Sequence, residues 1–429
     1  MTTLTLYGEL LDKPRLRFDY LSPSESAISA LQGIKIYGPY DKNIIEDNIG
    51  KDSISLGIVY LQSHYKGAER FINAFQNGIG IYPGFYRWYR LPIRIFERFP
   101  VENNSLDTYK RVLNKVVRKD LDLVYVIIDH SPVSNDVYAT AKTILLSNGI
   151  PCQIIRSERL YAEEKSFQWI IANISLATYA KIGGTPWVIE AEDVPEIILG
   201  MSRAMDRNRR YIVGFTTIFE NNGDYLLWYS KSPVTSWEDY EDELEDLVTE
   251  AIYEYERIRN TPERIVFHFH KRTGKKEVNA IKNAVENIGK SIKYALLHLN
   301  TYSSFRVFDT SDFTYIPLTG LKIRLSSRQA LLITDGRTPH RQRPSIGTPY
   351  PIEITMDKES TVEKDQFPRL VQQVYNLSYV NWRAFNARTV PVTINYPYLI
   401  AKLLGSLESI DTWNSIITNG KLVDKAWFL

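Results

Sequence analysis

Residues 121–129, LDLVYVIID, form an apolar run rich in Val and Ile. Such a run suits a strand buried on both faces, which happens when helices cover a parallel sheet. A polar loop, His130–Asp136, follows it, and then a helical stretch from Val137 to Asn148. Gly149 and Pro151 end that helix, and Cys152–Arg156 re-enters as a second strand. A parallel pair needs a crossover of this length, so the segment reads as a βαβ unit. Residues 54–61 repeat the theme, again with a helical stretch behind them. The first half of the chain is therefore an α/β layer whose ligand site is expected at the loop end of its strands.

Ahead of this layer, up to Gly38-Pro39, the chain reads as a short strand-rich lead-in, with Leu4, Leu6, Leu16 and Phe18 alternating. A helix from Ser166 to Ile182, closed by Gly183-Gly184 and Pro186, ends the α/β layer. Beyond it the pattern changes. Residues 211–219 and 224–230 flank Asn222-Gly223, a hairpin turn because both residues tolerate positive φ. Ser236 and Asp239 make a capping-box pattern at the head of a long helix. A strand (263–270), a helix (276–288), a strand (293–299), hairpin material to 356, and helices over 363–378 and 396–406 complete the chain. Hairpins followed by β–α–β–α is the order of an RNase H-like domain. The expected division is residues 1–37, 38–185 and 186–429.

The 429 residues suit two domains, and 44% hydrophobic with 24% charged residues is an ordinary globular balance. A net charge of +2 means that any basic surface is local. The one cysteine, Cys152, excludes an intrachain disulfide and a multi-cysteine zinc site. The N-terminus lacks the build of a signal peptide, and no apolar run reaches the roughly 20 residues needed to cross a bilayer. The expected location is cytoplasmic, with any membrane reached through a partner.

Tyr138 and Lys142 lie four apart on the βαβ helix, near a helix N-terminus that is itself an anion site. Gln153 starts the next strand, and Asn173, Ala177 and Lys181 share a face of the closing helix. The two lysines can hold a phosphate, Tyr138 can stack on a base, and Gln153 and Asn173 can hydrogen-bond; the same spacing also suits solvated helix faces. Lys322, Arg324, Arg328, Arg337, Arg341 and Arg343 form a basic stretch, suited to phosphate tracking or to an exposed hairpin. The acidic helix from Glu238 to Glu250 repels nucleic acid on its outer face. His268 and His270 alternate on one strand; packed or hydrogen-bonded histidines are the default, and a metal would need two further ligands.

Several strings, taken in order over nearly the whole chain, resemble a short prokaryotic Argonaute of the archaeal Piwi-like kind, built from MID and PIWI domains. They are Tyr37-Gly-Pro-Tyr40, Ile150-Pro-Cys-Gln-Ile154, Lys181-Ile-Gly-Gly-Thr-Pro-Trp187, Tyr294-Ala-Leu-Leu-His-Leu-Asn300, Asn381-Trp-Arg-Ala-Phe385, Val390-Pro-Val-Thr-Ile-Asn-Tyr-Pro397 and Trp427-Phe-Leu429. The resemblance implies a Rossmann-like MID domain that anchors a guide's 5′ phosphate through Tyr138, Lys142, Gln153 and Lys181, with Asn173 near the first nucleotides. It implies that the Leu429 carboxylate enters this pocket and helps hold Mg²⁺. Ala177 departs from relatives that place a cation-ligating glutamine there. Arg383 and Arg388 are implied contacts to the guide backbone.

Cutting members of the family carry carboxylates in the PIWI domain, because two metal ions must clamp the attacking and leaving oxygens. At the corresponding places this chain has Ser202, Lys271 and Pro397. Glu238 can resemble the remaining glutamate, and Asp206 is the nearest spare carboxylate. The implied protein binds a short guide, RNA above DNA, pairs it with invader DNA without cutting, and activates an associated effector or APAZ-like protein in antiviral or anti-plasmid defence by abortive infection. Two alternatives stay open: an active RNase H-like guide-directed endonuclease, and a generic nucleic-acid binder that uses no guide.

Overall fold

The computed structural model describes residues 6–191, 194–205, 212–231, 233–270, 274–289, 291–338, 347–385, 390–407 and 410–429. Its contacts divide the chain into two compact units. One comprises Leu16–Val188, Trp382–Phe385 and Leu403–Leu429; the other comprises Met1–Arg15, Ile189–Asn381 and Asn386–Lys402. The sequence boundary at 185/186 falls close to the main crossing. Within these units the lead-in is shared between the two, and the last 27 residues, Leu403–Leu429, pack with the first.

The first unit is built on four parallel strands: β1 (Ile54–Leu61), β2 (Ile93–Val101), β3 (Leu123–Ile128) and β4 (Cys152–Arg156). They lie in the order β2-β1-β3-β4, so the sheet changes direction between β1 and β3. Every residue of β1 and β3 is buried, as their unbroken apolar runs require. Helices α1 (Tyr65–Asn77), α2 (Leu106–Val116), α3 (Ser134–Ser147) and α4 (Glu164–Lys181) supply the cover. Tyr109, Leu113 and Val116 of α2 and Val137, Ala141 and Leu145 of α3 close over Val124, Val126 and Ile128. The unit is Rossmann-like.

The second unit carries a nine-stranded sheet. Third from one edge is β5 (Glu196–Met205), antiparallel to β6 (Ile212–Glu220), which turns into the edge strand β7 (Tyr225–Ser230). The turn is the one that Asn222-Gly223 announces: Gly223 has φ 79°, and the Asn222 side chain accepts from the Asp224 amide. Helix α5 (Trp237–Ile258) follows, capped by the Ser236 hydroxyl on the Asp239 amide. Then come β8 (Arg264–Phe269), α6 (Lys275–Asn287) and β9 (Lys293–Asn300), with β8 parallel to both β5 and β9. Strands β10 (Leu321–Ser326), β11 (Gln329–Leu332) and β12 (Ile352–Met356) extend the sheet to Gly8–Leu10 at its edge. Helices α7 (Phe367–Asn376) and α8 (Val392–Leu404) belong to this unit, and α9 (Ile410–Ile417) to the other. Three strands in antiparallel order, then parallel β–α–β, is the RNase H-like arrangement. No helix among the described residues is long and apolar enough to cross a membrane.

Candidate anion-binding site

Three elements of the first unit bring the sequence-selected residues together. Helix α3 begins at Ser134, three residues earlier than the sequence reading, because the Ser134 hydroxyl accepts from the Ser131 amide and folds the loop into the first turn. Tyr138 therefore sits in the second turn, half-buried, and Lys142 in the third, buried. This corrects the expected position: the lysines gather at the start of β4, not at the loop end of the strands or at the mouth of the α3 dipole. Strand β4 is the edge of its sheet. The carbonyl of its first residue, Cys152, accepts from Lys142 Nζ at 3.2 Å and from Lys181 Nζ at 2.8 Å. Gln153 Oε1 accepts from the same Lys181 ammonium at 2.8 Å.

Lys181 is wholly buried at the last turn of α4. Burial first, and then the neighbouring charge of Lys142, hold its pKa well below the ordinary lysine value; Cys152 opposes this, and Arg383 adds a last, smaller push downward. Neither lysine has an ion-pair partner among the described residues. The two buried lysines, with Arg383 acting on Lys181, gather positive charge at one place. Taking a cation out of water costs several kcal/mol unless an anion meets it.

The surroundings show what the family-resembling strings do. Asp41 is buried and accepts from the Tyr179 hydroxyl of α4 at 2.5 Å, from Asn48 at 2.7 Å and from the Thr185 amide at 3.0 Å. Burial pushes its carboxyl up to about 6. The Tyr40 amide donates to the carbonyls of Thr185 and Pro186. Trp382 Nε1 donates to Trp187 O at 3.0 Å, and the Phe385 ring stacks on Trp187 at 5.9 Å. These strings bracket the C-terminal end of α4 and fix Lys181. Asn173, one further α4 residue, donates to Trp169 O and accepts from the Phe385 amide. Leu429 is buried in the same unit, and its carboxylate forms no ion pair with either lysine. Arg383 is exposed close enough to act on Lys181. Arg388 lies outside the described residues.

The donor set fits a phosphate better than a metal ion. Ala177 supplies no ligand, the Gln153 oxygen is engaged by Lys181, and no group of three His, Cys, Asp or Glu that could hold a metal occurs among the described residues. The basic stretch is also largely committed. Lys322 pairs with Glu9, Arg328 donates to Asp357 O, and Arg337 bridges Asp309 and Asp312. Arg341 and Arg343 lie outside the described residues.

In the second unit, Ser202, His270 and Tyr398 line one cavity of about 660 Å³. The ladder pairs Gly200 with His268 and Met201 with Phe269, so the next step brings Ser202 level with His270. Lys271 lies outside the described residues, and Pro397 is inside α8, where the neighbouring Tyr398 reaches the cavity. Asp206 also lies outside the described residues. Glu238 is exposed on α5 and does not line the cavity. His268 is buried on Thr393 Oγ1 at 2.7 Å, and burial lowers its pKa to about 3; His270 bonds Thr301 Oγ1 at 2.9 Å.

The family model described as Piwi domain matches residues 123–408. The chain is 28% identical over 95% of its length to the protein argonaute of Cereibacter sphaeroides, of which it spans 57%. It is 24% identical over 95% of its length to the Piwi protein of Archaeoglobus fulgidus and spans 95% of that relative. The fold resembles Clostridium butyricum Argonaute, solved with a guide DNA and a 19-mer target DNA, with a TM-score of 0.74 at 18% identity. That match covers 94% of this chain and 53% of the other. Drosophila Piwi matches with a TM-score of 0.72 at 17% identity, over 98% of this chain and 56% of the other.

Proposed function

Since the chain belongs to the Piwi domain family, we propose that it anchors the 5′ phosphate of a short guide, RNA above DNA, and uses the guide to select complementary DNA that it does not cut. One observation carries this reading: the ammoniums of Lys142 and Lys181 converge on Cys152 O, buried and without a carboxylate. A terminal phosphate supplies the missing charge, Gln153 and Asn173 orient it, and Tyr138 stacks on the first base. Arg383 meets the next backbone phosphate. The reading needs no Mg²⁺, because the lysines provide the charge that a cation otherwise would.

Non-cleavage rests on the cavity of the second unit. A two-metal cut needs clustered carboxylates. The described lining offers Ser202, His270 and Tyr398, and its one carboxylate, Glu277, is held by Arg203 at 2.5 Å. Target recognition therefore acts through a partner, an effector or APAZ-like protein that arrests the cell when invader DNA is found. The cell compartment that suits this role is the cytoplasm. The test is target capture. Protein loaded with a 5′-phosphorylated guide should retain matched DNA over mismatched DNA, with the DNA intact after prolonged incubation in Mg²⁺ or Mn²⁺. Guide-directed products that vanish in a Glu277→Ala or Glu238→Ala variant would establish a nuclease instead.

A further inference from the structure

The cavity of the second unit is lined by residues of that unit alone, with a single carboxylate, Glu277, among the described residues. Its floor is apolar: Met201, Leu244 and Phe269 are buried. Its mouth is aromatic. Tyr302 and Tyr398 are exposed, and the His270 ring lies near-parallel to Tyr398 at 6.3 Å and edge-on to Tyr302 at 5.8 Å. Polar groups stand at defined places on this wall. Arg203 and Glu277 are locked together, and Lys402 is exposed on the last turns of α8 with no ion-pair partner among the described residues. At about 660 Å³ the cavity is in the range of a small-molecule site, roughly 300–1,000 Å³.

We propose that this cavity binds one nucleotide, its base held between the rings of His270, Tyr302 and Tyr398 and its phosphate met by Lys402. A flat, polar-edged ring suits the aromatic mouth, since every base has a π-face to stack. The Arg203–Glu277 pair presents both a donor and an acceptor to the base edge, and Lys402 presents a single unspent cation to an anion. A purely apolar occupant would leave the Lys402 ammonium without a counter-charge. The same chemistry has two sources, a free nucleoside monophosphate or one unpaired nucleotide of a bound strand. The inference is independent of guide anchoring.

Photo-crosslinking tests it on the full chain with two probes: 8-azidoadenosine monophosphate for the free source, and a 12-nucleotide RNA carrying one 4-thiouridine for the strand source. Labelled peptides containing His270, Tyr302 or Tyr398, protected by excess AMP, are the expected result with at least one probe. Which probe labels identifies the source. In AMP titrations of the Lys142→Ala/Lys181→Ala background, a Tyr398→Ala/Lys402→Ala change should weaken binding by about tenfold or more, and Tyr398→Phe by less than about twofold. Both substituted residues are exposed, so folding is not at stake. Labels confined to peptides of the lysine site, or affinity unchanged within twofold in the double variant, would overturn the proposal.

Discussion

Lys181 concentrates the account at the scale of one residue. A lysine that is wholly buried, with other cations beside it, is held at a cost to stability that a bound anion would offset. Lys181→Met keeps the stem and removes the charge. The free protein should gain on the order of 1 kcal/mol, seen as a thermal midpoint higher by about 2–4 °C for a unit of this size, while its preference for a 5′ phosphate disappears. A midpoint that falls by several degrees would mark the residue as structural. The lowered pKa also sets a pH dependence. In the free protein the ammonium loses its proton below the ordinary lysine value, and a bound phosphate dianion raises that pKa again. Binding thus takes up a proton in the window between the two. Affinity for a 5′-phosphorylated strand should fall as pH rises from 7.5 to 9.5, where the phosphate itself no longer titrates, and affinity for the 5′-hydroxyl strand should change less. Parallel profiles from fluorescence titration would contradict this.

Elements decide how much of this was legible in the sequence. Strands β1 and β3 read clearly, because strands buried on both faces must be apolar throughout. Strand β2 did not read. It is an edge strand whose Arg94 and Arg98 are exposed and which carries Pro100, so neither alternation nor a continuous apolar run appears. The start of α3 was missed by one turn, since only the folded Ser131–Ser134 contact extends it. Pairing of residues across a sheet is likewise invisible in a single chain: the ladder, not spacing, sets His270 level with Ser202, and the helix α8 carries Tyr398 to the cavity. By contrast, i,i+4 spacing sets Tyr138 beside Lys142 and lines Asn173 up with Lys181 whatever the exact helix bounds, while the convergence of both lysines on Cys152 O shows only in the fold. Gly200 shows how close the second unit is packed. A Cβ there would lie 1.9 Å from the Thr393 carbonyl oxygen, a backbone atom of α8 that cannot turn away. Gly200→Ala should cost about 1–3 kcal/mol or more, read as an earlier midpoint in chemical denaturation followed by tryptophan fluorescence. An unchanged midpoint would show that α8 shifts freely against β5.

At the scale of the whole molecule, the chain crosses between its units several times, and its last residues return to the unit that holds the lysines. The net charge is a near-neutral +2, and among the described residues of the basic stretch Lys322 and Arg337 are paired internally. Selectivity for one strand end must then come from a local site. The direct test is equilibrium binding of one short RNA, with and without a 5′ phosphate, at fixed salt and in a chelator. It is measured on the natural chain and on Lys142→Ala/Lys181→Ala. Charge-assisted hydrogen bonds of about 1.5–3 kcal/mol from each of the two lysines predict a preference for the phosphate of at least roughly 100-fold in the natural chain and none in the variant. Equal binding in all four combinations would contradict the anchor and leave a binder that makes no use of a guide's 5′ end.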